Sequence, residues 1–268
     1  MNTQSTATPV RIALLGAAGR MGRTILQLAR DYPGVTISAA VVRAGHVPAE
    51  PPPGPAWSTD LKTALRTSDV LLDFSNPAGT AAAVDACVAA GKPLVTGVTG
   101  LDDAVRAKLA AASRRIAVLA APNMSRAANL LLALTRAAAT ALGEDYDLEI
   151  TDIHHRDKRD APSGTALALA ATAAAARRQR LEDHLVIARH GQSGPRRPGS
   201  IGIASLRAGD EAGEHRVLFG GPAESLELTH RATSRATFAR GALDAAKWIV
   251  CRPAGEYNMV EVLNLRVG

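Results

Sequence analysis

Short apolar runs alternate with stretches of helical periodicity along the first half of the chain. Val10–Leu15 is an apolar run that predicts a buried strand, and it leads into a glycine-rich turn and a helical pattern. The alternation predicts further strands at 35–42, 70–74, 94–96 and 116–120, with helices at 23–30, 77–90 and 102–113. Strands interleaved with helices are typical of a parallel sheet covered on both faces. The first half therefore predicts a Rossmann-like domain.

The second half carries strand patterns with few helices between them. After a helix at 125–142, strands are predicted at 147–153, 184–188, 201–206, 214–219 and 225–230, with one clear helix from about 163 to 180 and another at 238–250. Strands without intervening helices indicate an open, largely antiparallel or mixed sheet. The expected fold class is α/β, with an N-terminal Rossmann-like parallel-sheet domain and a C-terminal α+β domain.

The glycine-rich turn after the first strand has the context of a dinucleotide-binding loop. It reads GAAGRMG at 16–22, between a predicted strand and a predicted helix. In such loops Gly16 permits the tight turn, Gly19 the approach of the backbone to pyrophosphate, and Gly22 the packing of helix on strand. An ordinary strand–helix turn rich in small residues is the alternative. Loops 73–77, 96–100 and 121–125 also follow strand ends and should share one sheet edge.

The end of the second strand bears on the choice of cofactor. Many dinucleotide-binding folds place an acid here to bind both ribose hydroxyls, but this chain has Val42 followed by Arg43. A guanidinium without a neighbouring acid suits a ribose that carries a 2′-phosphate. The pattern favours NADPH over NADH, with a solvated loop arginine ahead of the proline-rich stretch 48–55 as the alternative.

The densest chemistry lies in HHRDKRDAPSGTAL at 154–167. His154 and His155 can exchange protons near neutral pH, and Lys158 adds a cationic proton donor. The run 163–165 opens an alanine-rich helix whose unpaired N–H groups form a seat for a carboxylate. The stretch therefore predicts a proton-transfer site for a small anionic substrate. Structural histidines, helix-start chemistry and a metal site are the alternatives, and the lack of a second Cys/His cluster nearby disfavours the metal.

Composition limits the classes of function. The 268 residues, 47% of them apolar, can bury the core of one large or two medium domains. The net charge of +6 is scattered without interleaved aromatics, which favours attraction of small anions over binding of nucleic acid. No apolar run is long enough to span a membrane, and the first nine residues lack a signal core. Two distant cysteines fit a reducing cytoplasm, so we expect a cytoplasmic protein without nucleic-acid or membrane partners.

Nearly the whole chain, from about Val10 onward, closely resembles the dihydrodipicolinate reductase (4-hydroxy-tetrahydrodipicolinate reductase) family of the diaminopimelate–lysine pathway. HHRDKRDAPSGTAL at 154–167 is highly specific to that family. The other matching strings are GAAGRMGR (16–23), DFSNP (73–77), TGVTG (96–100), APNMS (121–125), SIGIASLRAGDEAGEH (200–215) and LTHRATSRATFARGA (228–242).

The resemblance implies a reaction and the residues that perform it. Family members reduce the cyclic dicarboxylate 4-hydroxy-tetrahydrodipicolinate to tetrahydrodipicolinate, with hydride from a nicotinamide, a proton from the enzyme and loss of water. His154 would be the general acid/base and Lys158 a proton donor, while His155, Gly164 and Thr165 would bind substrate. The residues implied to line the cofactor are Gly16, Ala17, Ala18, Gly19, Arg20, Met21, Gly97, Val98, Thr99, Ala121, Pro122, Asn123 and Met124, joined by Arg43.

The resemblance also implies domain boundaries and an assembly. Residues 1–125, completed by 235–268, would bind the dinucleotide, and 126–234 would bind substrate and form a homotetramer through its sheet. The chain departs from the family at Val42, where an acid is usual, and at Val98 and Ala127 within two motifs. NADPH is therefore the expected cofactor, with NADH possible. The alternatives are another two-domain NAD(P)H oxidoreductase, such as an aspartate dehydrogenase, and a non-catalytic dinucleotide sensor.

Overall fold

The chain folds into two compact units. A computed structural model describes residues 8–265; the first seven residues of the polar N-terminal segment and residues 266–268 lie outside the described residues. The first unit contains the chain up to Ser125 together with Ala236–Val262, and the second contains Arg126–Arg235 and the described residues after Val262. Each unit has its own sheet and its own hydrophobic core.

Strands and helices are numbered in chain order. The strands are β1 Val10–Leu15, β2 Val35–Val41, β3 Ala56–Ser58, β4 Val70–Asp73, β5 Leu94–Thr96, β6 Ala117–Ala120, β7 Asp147–His154, β8 Leu185–Ile187, β9 Ile201–Arg207, β10 Gly213–Gly221, β11 Glu224–Ala232 and β12 Gly255–Tyr257. The helices are α1 Arg20–Ala29, α2 Leu61–Arg66, α3 Pro77–Ala90, α4 Asp103–Ala112, α5 Arg126–Leu142, α6 Gly164–Ala176, α7 Leu181–His184, α8 Ala236–Ile249 and α9 Met259–Val262.

The first unit is built on a parallel sheet of seven strands in the order β12-β6-β5-β4-β1-β2-β3. Its central strands are largely apolar because both faces are covered by helices. In β1, Ile12 and Leu14 pack into the core that includes α1 and α8, whereas Ala13 and Leu15 pack into the core on the opposite face. The Rossmann-like architecture expected from the alternating pattern is confirmed.

The second unit contains a mixed sheet of five strands in the order β11-β10-β7-β9-β8. β10 runs antiparallel to both β11 and β7, whereas β7, β9 and β8 run parallel. Of the two arrangements expected for this sheet, largely antiparallel or mixed, the structure confirms the mixed one. The connection from β7 through α6 and α7 to β8 is long enough for a parallel crossover, and the pattern of strands alone does not reveal it. One face of the sheet packs against α5 and α6.

The structure differs from the sequence predictions mainly in the shortest elements. β3, α2, α7, β12 and α9, which have three to six residues each, were not predicted, because so few residues show no clear periodicity. α1 begins at Arg20 rather than 23, and α6 ends at Ala176 rather than near 180. The chain turns shortly after α6, where Arg178 has a φ of 58°. Within residues 8–265 no helix combines the length and apolarity needed to cross a membrane.

Candidate active site

The glycine-rich loop between β1 and α1 has a backbone that requires glycine at two positions. Gly16 has a φ of +84°, and a Cβ there would lie 2.6 Å from the carbonyl oxygen of Phe74. A Cβ on Gly22 would overlap the carbonyl oxygen of Gly16. In the described part of the chain, no side chain caps the first turn of α1, whose N-cap is Gly19. The loop therefore presents the amide groups of a helix N-terminus to a ligand, which is the arrangement that binds pyrophosphate.

Three further loops lie beside this one at the carboxyl edge of the first sheet. The amide of Gly97 donates to the carbonyl of Asp73 at 2.9 Å, and that of Ala121 donates to Thr96 at 3.0 Å. The order of strands reverses between β1 and β4, and ligands of open α/β sheets bind at such switch points. The residues expected to line the cofactor at 16–21, 97–99 and 121–124 are thus brought to one edge of one unit.

The residues predicted to line the cofactor differ in whether their side chains are accessible to a ligand. Ala17, Ala121 and Met124 are buried in the core of the first unit, so a ligand could meet them only through their backbone. Thr99 and Pro122, by contrast, are exposed. This arrangement fits a dinucleotide, because close backbone approach and a helix N-terminus are what bind its phosphates.

Asp73 holds these loops together, a role that the sequence analysis missed. The side chain is fully buried at the end of β4. Its Oδ2 accepts from the hydroxyls of Thr80 at 2.6 Å and Thr96 at 3.0 Å, and its Oδ1 accepts from the amide of Ser75 at 2.9 Å. The carboxylate therefore joins the loop after β4, the start of α3 and the end of β5. Its place in the DFSNP string was visible, but the partners on other elements were not.

The end of β2 presents Arg43 and His46 next to the same sheet edge. β2 ends at Val41 and the side chain of Val42 is buried, whereas Arg43 is exposed. Its Nη2 lies 3.4 Å from Nε2 of His46, a residue that the sequence analysis did not single out. The turn 42–47 reads VRAGHV and contains no acid. It is therefore suited to an additional phosphate rather than to ribose hydroxyls.

In the second unit, a row of polar side chains crosses the sheet at the level of Asp152. Asp152 and His154 are two residues apart on β7, so both side chains point to the same buried face. Asp152 is paired with Ser205 on β9 and with His215 on β10, and His215 is paired with His230 on β11. The register of four strands therefore creates a cluster that the linear sequence does not show.

Asp152 is the centre of this cluster. Its Oδ1 lies 2.9 Å from Nδ1 of His154 and 3.5 Å from Nε2 of His215. Its Oδ2 accepts from the amide of Ser163 at 2.9 Å, from Ser205 Oγ at 3.2 Å and from Arg207 Nη2 at 3.2 Å. Burial acts to raise the pKa of Asp152, but His154 and the Ser163 hydrogen bonds outweigh it and hold that pKa well below its usual range. The carboxylate is ionised at neutral pH.

The same carboxylate fixes the start of α6. Ser163 is the N-cap of this helix, and its Oγ accepts from the amide of Ala166 at 3.2 Å and lies 3.2 Å from His215 Nε2. Gly164 is exposed, and a Cβ there would meet open space. The first turn of α6 is thus fixed on its buried side by Ser163 and is open to solvent at Gly164. This is the geometry expected of a carboxylate seat.

Lys158 lies in the turn after β7 and is held by a carboxylate. Its Nζ is 2.8 Å from both oxygens of Asp160, and its amide donates to the carbonyl of His155 at 3.1 Å. Its charge contributes to lowering the pKa of His215, after burial and the charge of His154. Lys158 therefore acts electrostatically on the cluster while its ammonium is paired. His155 follows the last residue of β7, and its amide donates to Glu211 at 2.8 Å.

Within the described residues, one group of three side chains could hold a metal ion: Asp152, His154 and His215, whose ligand atoms lie within 4.8 Å of one another. Two imidazoles and a carboxylate are a donor set that binds zinc or iron. Arg207, however, already brings a positive charge to the same carboxylate. That charge disfavours a divalent cation, and the absence of a metal stays a prediction.

The site also contains residues that the sequence analysis missed. Asp152 could have been found, because two-residue spacing on a predicted strand places it on the same face as His154. Arg207 and His215 lie in the string 200–215 that resembles the family, but only the register of β9 and β10 brings them to Asp152. Asp160 was visible as a neighbour of Lys158, but the ion pair between them is a property of the fold.

Comparison with known protein families gives matches over both units. The model described as "Dihydrodipicolinate reductase, N-terminus" matches residues 10–124, and the one described as "Dihydrodipicolinate reductase, C-terminus" matches residues 127–263. Among curated proteins, the chain is 46% identical over 267 residues to a 4-hydroxy-tetrahydrodipicolinate reductase of Anaeromyxobacter dehalogenans, covering 96% of this chain and 99% of that protein. The enzyme of the same name from Thiobacillus denitrificans is 46% identical, with 96% and 99% covered.

Solved structures show the same fold. A dihydrodipicolinate reductase from Paenisporosarcina sp. TG-14, described as dipicolinate-bound, superposes with a TM-score of 0.76 at 22% identity, covering 95% of this chain and 99% of that one. A diaminopimelate (DAP) dehydrogenase of C. glutamicum superposes with a TM-score of 0.55 at 15% identity, covering 95% and 94%. At these identities the likeness concerns the fold alone.

Proposed function

The chain belongs to the dihydrodipicolinate reductase family, and we propose that it reduces 4-hydroxy-tetrahydrodipicolinate to tetrahydrodipicolinate with NADPH in diaminopimelate and lysine biosynthesis. It is an oxidoreductase. The observation that carries the proposal is the pairing of His154 with Asp152 beside the open first turn of α6, in a chain that matches the family over both units. An aspartate dehydrogenase-like enzyme or a non-catalytic sensor is not favoured.

The carboxylate seat accounts for a dianionic substrate. The amides at the start of α6 and the positive end of the helix dipole favour one carboxylate, with Gly164 and Thr165 as the residues that bind it. His155, next to the strand end, is the proposed further contact to substrate. The net charge of +6 attracts both a dicarboxylate and a dinucleotide over longer distances.

The proton chemistry belongs to His154 and Lys158. A bound reduced nicotinamide supplies the hydride, while the reaction consumes one proton and releases one water from the hydroxylated ring. His154 is the proposed general acid/base, since its ring is held beside the carboxylate of Asp152 and histidine serves in this role more often than other side chains. Lys158 is the proposed second donor, and its ion pair with Asp160 holds the ammonium group in the turn after β7.

The cofactor is proposed to lie along the glycine-rich loop and the loops after β5 and β6. Its phosphates would meet the amides at the start of α1, where Gly16 and Gly22 are required by the backbone. The 2′-phosphate of NADPH would contact Arg43, with His46 next to it. These assignments favour NADPH, with NADH as the weaker cofactor.

A homotetramer and a cytoplasmic location complete the proposal. The face of the second sheet that points away from α5 and α6 carries Ile153, Leu206 and Leu218, and Leu206 is 47% exposed. The same face also carries the ion pairs Arg216–Glu227 and Arg231–Glu214, so apolar and paired charged side chains together would be buried against another copy of the chain.

A coupled assay tests the proposed function. The substrate is generated in place from pyruvate and aspartate semialdehyde by the synthase that precedes this step, and oxidation of NADPH is followed by its absorbance. We expect NADPH oxidation that depends on the chain and on both precursors. The absence of any oxidation with NADPH or NADH would refute the proposal.

A further inference from the structure

The two ring nitrogens of His154 face different neighbours. Nδ1 lies 2.9 Å from Asp152 Oδ1, a close contact that falls outside hydrogen-bond geometry, and among the described residues no group makes a hydrogen bond to either atom. On the other side lies Gly213, where a Cβ would be 2.9 Å from Nε2 and 3.2 Å from Cδ2. The glycine therefore leaves open a point at hydrogen-bond distance from Nε2.

Asp152 cannot rotate its carboxylate to bring Oδ2 toward His154 without losing three hydrogen-bond donors. The amide of Ser163, the hydroxyl of Ser205 and the guanidinium of Arg207 all bond to Oδ2. Oδ1 is thereby kept toward the imidazole. Because an ionised carboxylate repels a lone pair and attracts an N–H, its approach to 2.9 Å favours a proton on Nδ1 over a proton on Nε2.

The other charged and titratable groups around His154 do not compete for Nδ1. They are Arg207 on β9, His215 on β10, His230 on β11, and Lys158 with Asp160 in the turn after β7. Burial, with the charge of His154 next, lowers the pKa of His215 to about 4, so this ring is neutral at pH 7. The ring centroids of His215 and His154 are 5.2 Å apart in an edge-on arrangement.

We propose that Asp152 is a positioning residue that keeps the proton of neutral His154 on Nδ1 and so presents Nε2, beside Gly213, as the atom that exchanges a proton with substrate. The inference rests on the proposed function and deepens it. Because Asp152 also bonds to the amide of Ser163, one carboxylate fixes both the proton-transferring ring and the carboxylate seat. A second-sphere carboxylate of this kind sets the tautomer and orientation of a histidine.

The test uses Asp152→Asn, which replaces one carboxylate oxygen with an amide nitrogen and keeps the size and shape of the side chain. The three donors at Oδ2 require an oxygen there, so the new amide nitrogen faces Nδ1 of His154. Nδ1 must then accept, and the proton moves to Nε2. We expect nitrogen-15 NMR of histidine-labelled protein, with the His154 signals assigned by their loss in His154→Gln, to show Nδ1–H in the wild type and Nε2–H in the variant.

Kinetics give the second readout. With the seat retained and the tautomer reversed, kcat should fall about 10²- to 10⁴-fold while KM changes little, since general acid–base catalysis contributes in that range. Asp147→Asn is the matched control: it makes the same change on the same strand, but Asp147 is exposed and pairs with Arg196. This control should keep both the wild-type tautomer and the wild-type kcat.

The tautomer of the wild type keeps the inference testable if Asp152→Asn does not fold, because that measurement needs no change at Asp152. Neutral His154 with its proton on Nε2 in the wild type would overturn the inference, and so would Asp152→Asn with an unchanged tautomer and kcat. The NMR measurement needs no substrate, so it separates failure of this inference from failure of the proposed reductase activity.

Discussion

At the scale of single residues, the proposed proton transfer depends on His154 and Lys158 and on the buried carboxylate of Asp152 beside them. His154 and Lys158 stood out because titratable side chains converged with a helix start in one short string. Asp152, by contrast, acts through atoms supplied by β9, β10 and α6. Such partners depend on strand register, which a single sequence does not specify. The resemblance to a family named the reacting groups, and the structure adds what surrounds them.

The first prediction concerns the cofactor. Arg43 should gain a charge-assisted contact to the 2′-phosphate of NADPH, while Val42 offers nothing to the ribose hydroxyls of NADH. A contact of about 1.5–3 kcal/mol corresponds to roughly ten- to a hundredfold in affinity. We expect Arg43→Ala to remove most of a preference for NADPH and Val42→Glu to weaken it, as measured by kcat/KM with both cofactors. Arg66→Ala, which alters a surface arginine on α2, is the control, and equal efficiency with NADH in the wild type would contradict the assignment.

The second prediction concerns pH and His215. Burial, with the charge of His154 next, lowers the pKa of His215 from 6.5 to about 4 in the folded protein. Between these two pH values the unfolded chain binds a proton that the folded chain does not. The contribution of His215 to the free energy of unfolding is therefore fully present above pH 6.5 and is lost as the pH falls toward 4. The loss attributable to this residue is on the order of 3 kcal/mol.

Urea unfolding at several pH values between 7 and 4 measures this effect. His215→Gln should flatten the decline of the free energy of unfolding with falling pH, whatever its effect at pH 7. His190→Gln, at an exposed position, should leave the slope as it is in the wild type. An equal slope in His215→Gln and the wild type would show that His215 is not held neutral in the folded state.

At the scale of helices and strands, prediction succeeded where local signals marked both ends. α3 was predicted at its observed bounds because Asn76 caps its start, proline occupies its first position and Gly91 ends it with a φ of 63°. β3 and β12 have three residues each and form the two edges of the first sheet. Their existence depends on the strands beside them. The mixed sheet of the second unit likewise depends on the crossover from β7 through α6 and α7 to β8, which hydrophobic periodicity does not reveal.

The third prediction concerns the start of α6. Ser163→Ala removes the N-cap hydroxyl and its contact with His215, so the free energy of unfolding should fall by about 1 kcal/mol. Because the amides of the same turn form the proposed carboxylate seat, KM for substrate should also rise. Asp102→Ala removes the comparable cap of α4, which bonds to Val105 at 2.8 Å. It should cost similar stability and leave KM unchanged; equal KM values in the two variants would contradict the seat.

At the scale of the whole molecule, the fold class followed from the order of strands and helices, and both units have the sheets that this order implied. The oligomeric state does not follow from the order of strands and helices, because an exposed sheet face does not identify its own partner. The expectation of a tetramer came from resemblance, and the apolar residues on the second sheet are consistent with it physically.

The fourth prediction concerns this assembly. Light scattering at micromolar concentration should give a mass near four chains of 27.8 kDa. Leu206→Lys would place a charge in the proposed interface and should shift the distribution toward smaller species, whereas Val47→Lys, another exposed apolar position, should not. A wild-type mass of one chain across the concentration range would refute the tetramer.

His154 and Lys158 are the proposed proton-transferring pair of an NADPH-dependent reductase. The most direct measurement is the coupled assay on the wild type, His154→Gln and Lys158→Ala, with NADPH binding measured in parallel by fluorescence. We expect each variant to lose about two to four orders of magnitude in kcat, while NADPH affinity stays near the wild-type value because neither residue belongs to the glycine-rich loop. Wild-type turnover in both variants, with substrate-dependent NADPH oxidation intact, would contradict the account.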